Sequence, residues 1–181
     1  PAVEQYVECT HEYWRSNGQF VPNVTLRLAS GGYIGGGLYH SQNLEGALAT
    51  LPGARIVCPS FADDAAGLLR TSIRSRGFTL FIEPKALYNS VEAATIVPDD
   101  FEVPFGKARI RREGTDLSMI TYGNTTHFCL NVAERLAQEG WSVEVIDIRS
   151  LIPLDKETIY ESVKKTSKAL IVHEDKVFGG F

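Results

Sequence analysis

Apolar residues recur at three- and four-residue intervals over residues 1–17, where Val3, Tyr6, Val7, Tyr13 and Trp14 share one face. That spacing predicts an amphipathic helix, which Gly18 can end. A strand-like run from Val24 to Leu28 follows and enters a glycine loop, Gly31 to Gln42. Leu44 to Leu51 is a short apolar-rich segment, read as helical and stopped by Pro52-Gly53. Arg55 to Cys58 is a short buried strand closed by Pro59. Ser60 is placed to cap the next helix, with Asp63 in capping-box position. Phe61, Ala65, Leu68, Leu69 and Ile73 form the apolar face of that helix, and Thr79 to Ile82 is a further strand closed by Glu83-Pro84. Strands alternating with helices of this length predict a parallel sheet with crossover helices.

Residues 88–106 break the pattern. Asn89, Pro98, Asp99, Asp100 and Pro104 make a polar stretch too long for a tight turn, which reads as an interdomain linker. Lys107 to Arg112 alternates and is basic, as an edge strand would be. A second αβ run then begins with a strand from Leu117 to Thr121. The turn Tyr122-Gly123-Asn124 leads into a helix from Thr125 to Glu139, whose buried face is expected to carry Phe128, Val132, Ala133 and Leu136, with Gly140 at its end. Val143 to Ile146 is the next strand, and Asp155 caps a helix bearing Ile159 and Val163, with Lys164, Lys165 and Lys168 near the end where cations suit the helix dipole. A last strand, Ala169 to Val172, delivers His173-Glu174-Asp175 at its carboxyl end, where open α/β sheets bind ligands and partners.

Composition narrows the class without naming a function. The 181 residues carry a net charge of −4, 44% hydrophobic and 22% charged residues, as in an ordinary globular protein. No like-charge run or basic-aromatic interleaving suggests nucleic acid, and no apolar run approaches a membrane span. Cys9, Cys58 and Cys129 are widely spaced and odd in number, which fits a reducing compartment rather than a disulfide framework. The start at Pro1 and the stop at Gly179-Gly180-Phe181 look like cuts through a longer protein.

Three places hold candidate chemistry. Tyr39-His40-Ser41-Gln42 puts an imidazole, two hydroxyls and an amide into four consecutive residues, a kit for proton transfer and for holding a polar reactant; a structural histidine is the competing reading. Thr121 to Thr126, with His127, is a strand–glycine–helix turn that suits an anion or is an ordinary connecting loop. His173-Glu174-Asp175 is a solvated strand end or a partner interface. Asp63-Asp64 and Asp99-Asp100 read as solvated or helix-start charges. The spacing contains no Ser-His-Asp order, metal-ligand cluster or Walker loop.

Several separate stretches carry a resemblance: Pro1 to Val7, Tyr13 to Gly18, Gly35 to Gln42 (GGGLYHSQ), Ile56 to Phe61 (IVCPSF), Phe81 to Tyr88 (FIEPKALY), Tyr122-Gly123, Val143 to Leu154 (VEVIDIRSLIPL) and His173 to Phe181 (HEDKVFGGF). In order and spacing they resemble the beta-type subunit of the decarboxylating component of thiamine diphosphate-dependent 2-oxoacid dehydrogenase complexes, of the pyruvate and branched-chain type. The resemblance implies an α/β fold of mainly parallel sheets flanked by helices. Residues 1–90 would be the later part of a transketolase-type pyrimidine-binding domain, 91–106 a linker, and 107–181 a truncated transketolase C-terminal-type domain.

It further implies oxidative decarboxylation of a 2-oxoacid, with reductive acylation of a lipoyl group on an acyltransferase partner. His40 would be catalytic, with Tyr39, Ser41 and Gln42 orienting the reactants. His173, Glu174 and Asp175 are partner-interface candidates. Thiamine diphosphate and Mg2+ would be held mostly by an alpha-type subunit or fused domain, and the cofactor-activating glutamate would precede Pro1. A second copy of the chain is a further expected partner; neither nucleic acid nor membrane is. The location implied is cytoplasmic in a bacterium and the mitochondrial matrix in a eukaryote.

Some members of that family bind K+. Thr25 matches there, with carbonyls of Pro22 and Val24, but Ser72, Ser75 and Gly77 stand where branched-chain relatives have an Asp and an Asn, so no metal is assigned. The isolated fragment is expected to be inactive. The alternatives are a non-catalytic subunit-pairing region and a transketolase-like transferase.

Overall fold

The computed structural model describes residues 2–181; Pro1, expected to open the first helix, lies outside the described residues. Helix α1 (Ala2–Arg15) buries Tyr6 and Thr10, and the chain reverses at Gly18, whose N–H donates to Tyr13 O at 2.7 Å. The first sheet then forms from β1 (Val24–Ser30), β2 (Ala54–Val57) and β3 (Phe78–Pro84), with α2 (Glu45–Ala49) and α3 (Ala62–Arg74) between them. All three strands are parallel, and β3 lies in the middle. Its residues 78–82 are buried on both faces, which explains why it reads as a continuous apolar run rather than an alternating one.

The second sheet takes β4 (Arg109–Arg112), β5 (Leu117–Thr121), β6 (Val143–Asp147) and β8 (Ala169–Val172) in the order β4-β6-β5-β8, with α4 (Thr125–Gln138) and α5 (Lys156–Thr166) as crossovers. β4 is an antiparallel edge. The intervening strand β7 (Ser150–Ile152) leaves this sheet and pairs antiparallel with β2, opposite Ile56 and Val57. The sequence pattern had not marked it, because three residues before a proline are too few to show a period. Its consequence is large. Ile56, Leu80 and Ile82 of the first sheet and Ile120, Ile146 and Leu151 of the second half form one apolar core.

Tertiary contacts overrode several local expectations. Ser60 does not cap α3: its hydroxyl bonds Thr126 Oγ1 at 2.9 Å. The first helical N–H groups are taken instead by Ala93 O (2.9 Å from Ala62 N) and Thr95 Oγ1 (2.8 Å from Asp63 N). Asp64 begins that helix as expected but is not solvated; its side chain is wholly buried. α4 is turned about its axis relative to its apolar pattern. Phe128 and Val132 are 47% and 40% exposed, while Cys129 and Ala133 pack on Met119, Val143 and Val145, since small side chains allow the helix to lie close to the sheet. Ile73 of α3 likewise faces solvent. The stretch 88–106 has no strand or α-helix but is strapped to α3. Val103 is buried there, and Arg70 Nη1 donates to Pro98 O (3.2 Å) and Phe101 O (3.0 Å).

Candidate functional site

The glycine loop leaves β1 at Gly31, where φ is +83°, and closes at its base through Gly31 N–H to Gln42 O at 3.0 Å. Leu38–His40 form one 3-10 turn near its far end. Gly36 permits that turn, because a Cβ there would lie 2.7 Å from His40 Cβ. Ser41 Oγ donates to Gly37 O (2.7 Å) and Gln42 Nε2 to Leu38 O (3.0 Å), so both side chains bond within the turn. Tyr39 is 93% exposed and His40 is exposed beside it. The Lys85 ammonium, from the 3-10 turn Lys85–Leu87, donates to His40 O at 2.7 Å.

The segment His173-Glu174-Asp175 is folded against the base of this loop. Asp175 accepts the N–H groups of Gly46 (2.9 Å) and Lys176 (2.8 Å), and the Lys176 ammonium donates to Asn43 O. Burial pushes the Asp175 carboxyl up, but these donors and the Lys176 charge outweigh it and hold the carboxyl below its ordinary value. Glu174 Oε1 accepts from Asn124 Nδ2 at 2.7 Å, and the carboxylate beside the Tyr33 hydroxyl raises that phenol. His173 stacks on Tyr122, with ring centroids 6.3 Å apart and planes 7° off parallel. The Tyr122 hydroxyl donates to buried Glu45 (3.3 Å), which also accepts from Asn43 Nδ2 (2.9 Å) and Leu44 N (3.0 Å). No motif in the sequence singles out Glu45; its full burial is tolerated because the carboxylate is paired.

The second candidate cluster is spent internally. Thr121 Oγ1 and Thr125 Oγ1 bond each other at 2.8 Å, and His127 Nε2 meets Ser60 O at 2.7 Å. Its asparagine nonetheless lines a cleft of about 520 Å³, together with Tyr33, Ile34, Lys85, His127 and Phe128. That cleft adjoins the His40 turn through Lys85. At the K+ positions, the Ser72 hydroxyl donates to Leu68 O (2.7 Å) and Gly77 O accepts from Val24 N (3.3 Å).

A charge cluster that the sequence did not reveal locks the two halves together. Asp64 of α3 accepts from Arg111 of β4 and from Arg149 Nη1 at 2.7 Å; Arg111 also reaches Asp147 of β6 at 2.8 Å. Burial raises the Asp147 carboxyl, with the Arg111 charge opposing. The members are up to 85 residues apart, so no local spacing announces them.

Comparison with known proteins fits this architecture. Residues 9–91 match the model of the transketolase pyrimidine binding domain and residues 106–181 that of the transketolase C-terminal domain. The chain is 43% identical over 176 residues to the 2-oxoisovalerate dehydrogenase subunit beta of Bacillus subtilis, covering 97% of this chain and 54% of that protein. It is 41% identical over 161 residues to the pyruvate dehydrogenase E1 component subunit beta of the same organism, covering 89% and 49%. It thus spans about half the length of these curated relatives. A split gene transketolase, solved as an inactive beta4 tetramer, shares the fold with a TM-score of 0.72 at 21% identity, over 96% of this chain and 57% of that one. Two transketolase-type domain models, matched in tandem along nearly the whole chain and joined here by one core, show a chain that carries both domain types and is similar, as a partial region, to the beta subunits of 2-oxoacid dehydrogenases.

Proposed function

We propose that this chain is the region of a 2-oxoacid dehydrogenase decarboxylating component that brings a proton-handling histidine, His40, to the mouth of an active site completed by an alpha-type subunit or fused domain. The reaction is oxidative decarboxylation of pyruvate or a branched-chain 2-oxoacid, with acyl transfer to a lipoyl group on an acyltransferase partner. The observation that carries this is the exposed Tyr39-His40 pair on a turn tied at its tip by Lys85 and closed at its base. An imidazole so presented can serve as a general acid or base toward a reactant bound beside it. Ser41 and Gln42 orient the reactants through the shape of the turn, since their side chains hold Gly37 O and Leu38 O. Residues 1–90 and 107–181 act as the two domains, with 91–106 as the strap between them.

The residues present fit thiamine diphosphate in part. The His40 turn offers an imidazole and a phenol to a group held from a neighbouring chain. Among the described residues, no three His, Cys, Asp or Glu side chains are grouped to hold a metal ion. In this reading Mg2+ and the diphosphate are held by the alpha-type part. When bound, the cofactor supplies the nucleophilic carbon and the electron sink, and the protein supplies position and protons. Among the described residues, no helix is long and apolar enough to cross a membrane.

The test is dye reduction by the complete enzyme with pyruvate or 2-oxoisovalerate, wild type against His40→Ala. Turnover of either acid, lowered by about 10²-fold or more in the variant, is the expected result. Full turnover in a variant that fails to assemble would make this a subunit-pairing module instead. Turnover that requires an aldehyde acceptor would make it a transferase.

A further inference from the structure

The turn that carries His40 has two kinds of restraint. The bonds from Ser41 Oγ to Gly37 O and from Gln42 Nε2 to Leu38 O set its internal shape, but neither ties it to the rest of the protein. At the base, Gly31 N–H to Gln42 O and Lys176 to Asn43 O hold the stems. At the tip, the tie from outside the loop is the Lys85 ammonium on His40 O, from 45 residues away in sequence.

Lys85 is suited to that task. It follows Pro84, the last residue of the central strand β3, and opens a 3-10 turn whose end is fixed by Tyr88 N to Lys85 O at 3.3 Å. The neighbouring Glu83 is already engaged by Arg27 Nε (2.5 Å) and the Tyr88 hydroxyl (2.8 Å), so it does not draw the ammonium away. Among the described residues, no carboxylate lies within ion-pair distance of Lys85, which leaves its charge to strengthen the bond to the carbonyl. Within the turn, Gly36 lies so close to His40 that a Cβ on it would sit 2.7 Å from His40 Cβ. The Lys85 bond therefore restrains the backbone of His40, whose side chain is exposed.

We propose that Lys85 is a positioning residue for His40, acting through the His40 carbonyl; this rests on the catalytic role proposed for His40 above. The ammonium fixes the distance between β3 and the imidazole, and it reaches the chemistry only through that backbone. A catalytic group misplaced by about 1 Å loses rate steeply, up to about 10²-fold.

The experiment uses the complete enzyme with Lys85→Met, Lys85→Arg, His40→Ala and the Lys85→Met/His40→Ala double variant. Lys85→Met is expected to lower kcat roughly tenfold, with KM for the 2-oxoacid changed by less than about twofold. Lys85→Arg, which keeps a cationic donor, restores most of the rate. The double variant falls no further than His40→Ala alone, as for two groups acting in series. Amide exchange in the peptide spanning residues 36–42 quickens in Lys85→Met.

Unchanged kcat and exchange in Lys85→Met would overturn the proposal. So would a raised KM at unchanged kcat, which would assign the ammonium to the carboxylate of the acid. A double variant that shows the product of the two single losses would overturn it as well. Full turnover in His40→Ala is a distinct failure: it removes the catalytic role of His40, and the exchange experiment alone then decides the tether.

Discussion

Replacing Asp64 with alanine should cost this fold about 3 kcal/mol. The carboxylate is wholly buried at the start of α3 and is shared by Arg111 and Arg149, whose side chains are 7% and 8% exposed. Removing one partner of a buried pair typically costs about 3–5 kcal/mol, because the other charge stays behind unpaired. Here the arginines keep some support. Arg111 retains Asp147 and stacks over the Phe61 ring at 3.9 Å, and Arg149 retains the carbonyls of Lys107 (2.9 Å) and Ala108 (3.1 Å). The loss therefore falls at the lower end of that range. In a domain of this size each kcal/mol moves the melting point by about 2–4 °C, so about 6–12 °C is expected.

Urea unfolding followed by circular dichroism, with a parallel thermal scan, measures it. Asp64→Asn, which keeps the shape and one acceptor, should lie between wild type and alanine. A loss below about 1 kcal/mol in the alanine variant, the value of a solvated pair, would refute the burial of this cluster and with it the locking of the two halves.

Gly46→Ala should loosen the contact between the loop base and the C-terminal segment. Its Cβ would lie 2.5 Å from Gly179 O and 2.8 Å from Gly180 C, both backbone atoms that cannot swing aside. Overpacking of this kind costs about 1–3 kcal/mol, and amide exchange over residues 173–181 should rise; a wild-type unfolding midpoint with wild-type exchange would show the contact to be open in solution. The pH dependence of the same contact follows from Asp175. Its carboxyl is depressed in the folded state, so the unfolded chain binds more protons between the lowered and the ordinary carboxylate values. The stability it lends is fully present above the ordinary value and is lost as pH falls through the lowered one. The stability difference between wild type and Asp175→Asn should shrink over that acid window, and a difference independent of pH there would show that the carboxyl is not depressed.

How much of this was legible depends on the range of the interactions involved. Both αβ runs, the caps at Asp155 and Gly140, and the glycine loop follow from periodicity and turn chemistry within a dozen residues; Asp155 does accept the N–H of Thr158, and Gly140 does take φ +89°. The stretches GGGLYHSQ and FIEPKALY carried the family resemblance that the comparisons support. Lys85 stood within the second stretch but had no role there, because its partner is a backbone carbonyl and leaves no mark on side-chain pattern. His173-Glu174-Asp175 was visible as a charged strand end. That Asp175 binds the start of α2 and Glu174 the start of α4 was not visible, since Gly46 and Asn124 lie 129 and 50 residues away from their partners.

The amino-acid sequence by itself determined the alternation of helices and strands other than β7 and the polar cluster around His40, because hydrophobic period, capping and glycine placement act locally along the chain; the two domain types came from the family resemblance of its motifs. The tertiary structure alone decided that β7 joins the first sheet, that Asp64 is a buried partner rather than a solvated charge, and that the His40 turn is held from β3 and from the C-terminal segment. The physical reason is that burial and electrostatic pairing depend on which surfaces meet in three dimensions, and residues that meet across 45 to 129 positions share no local pattern that could announce it.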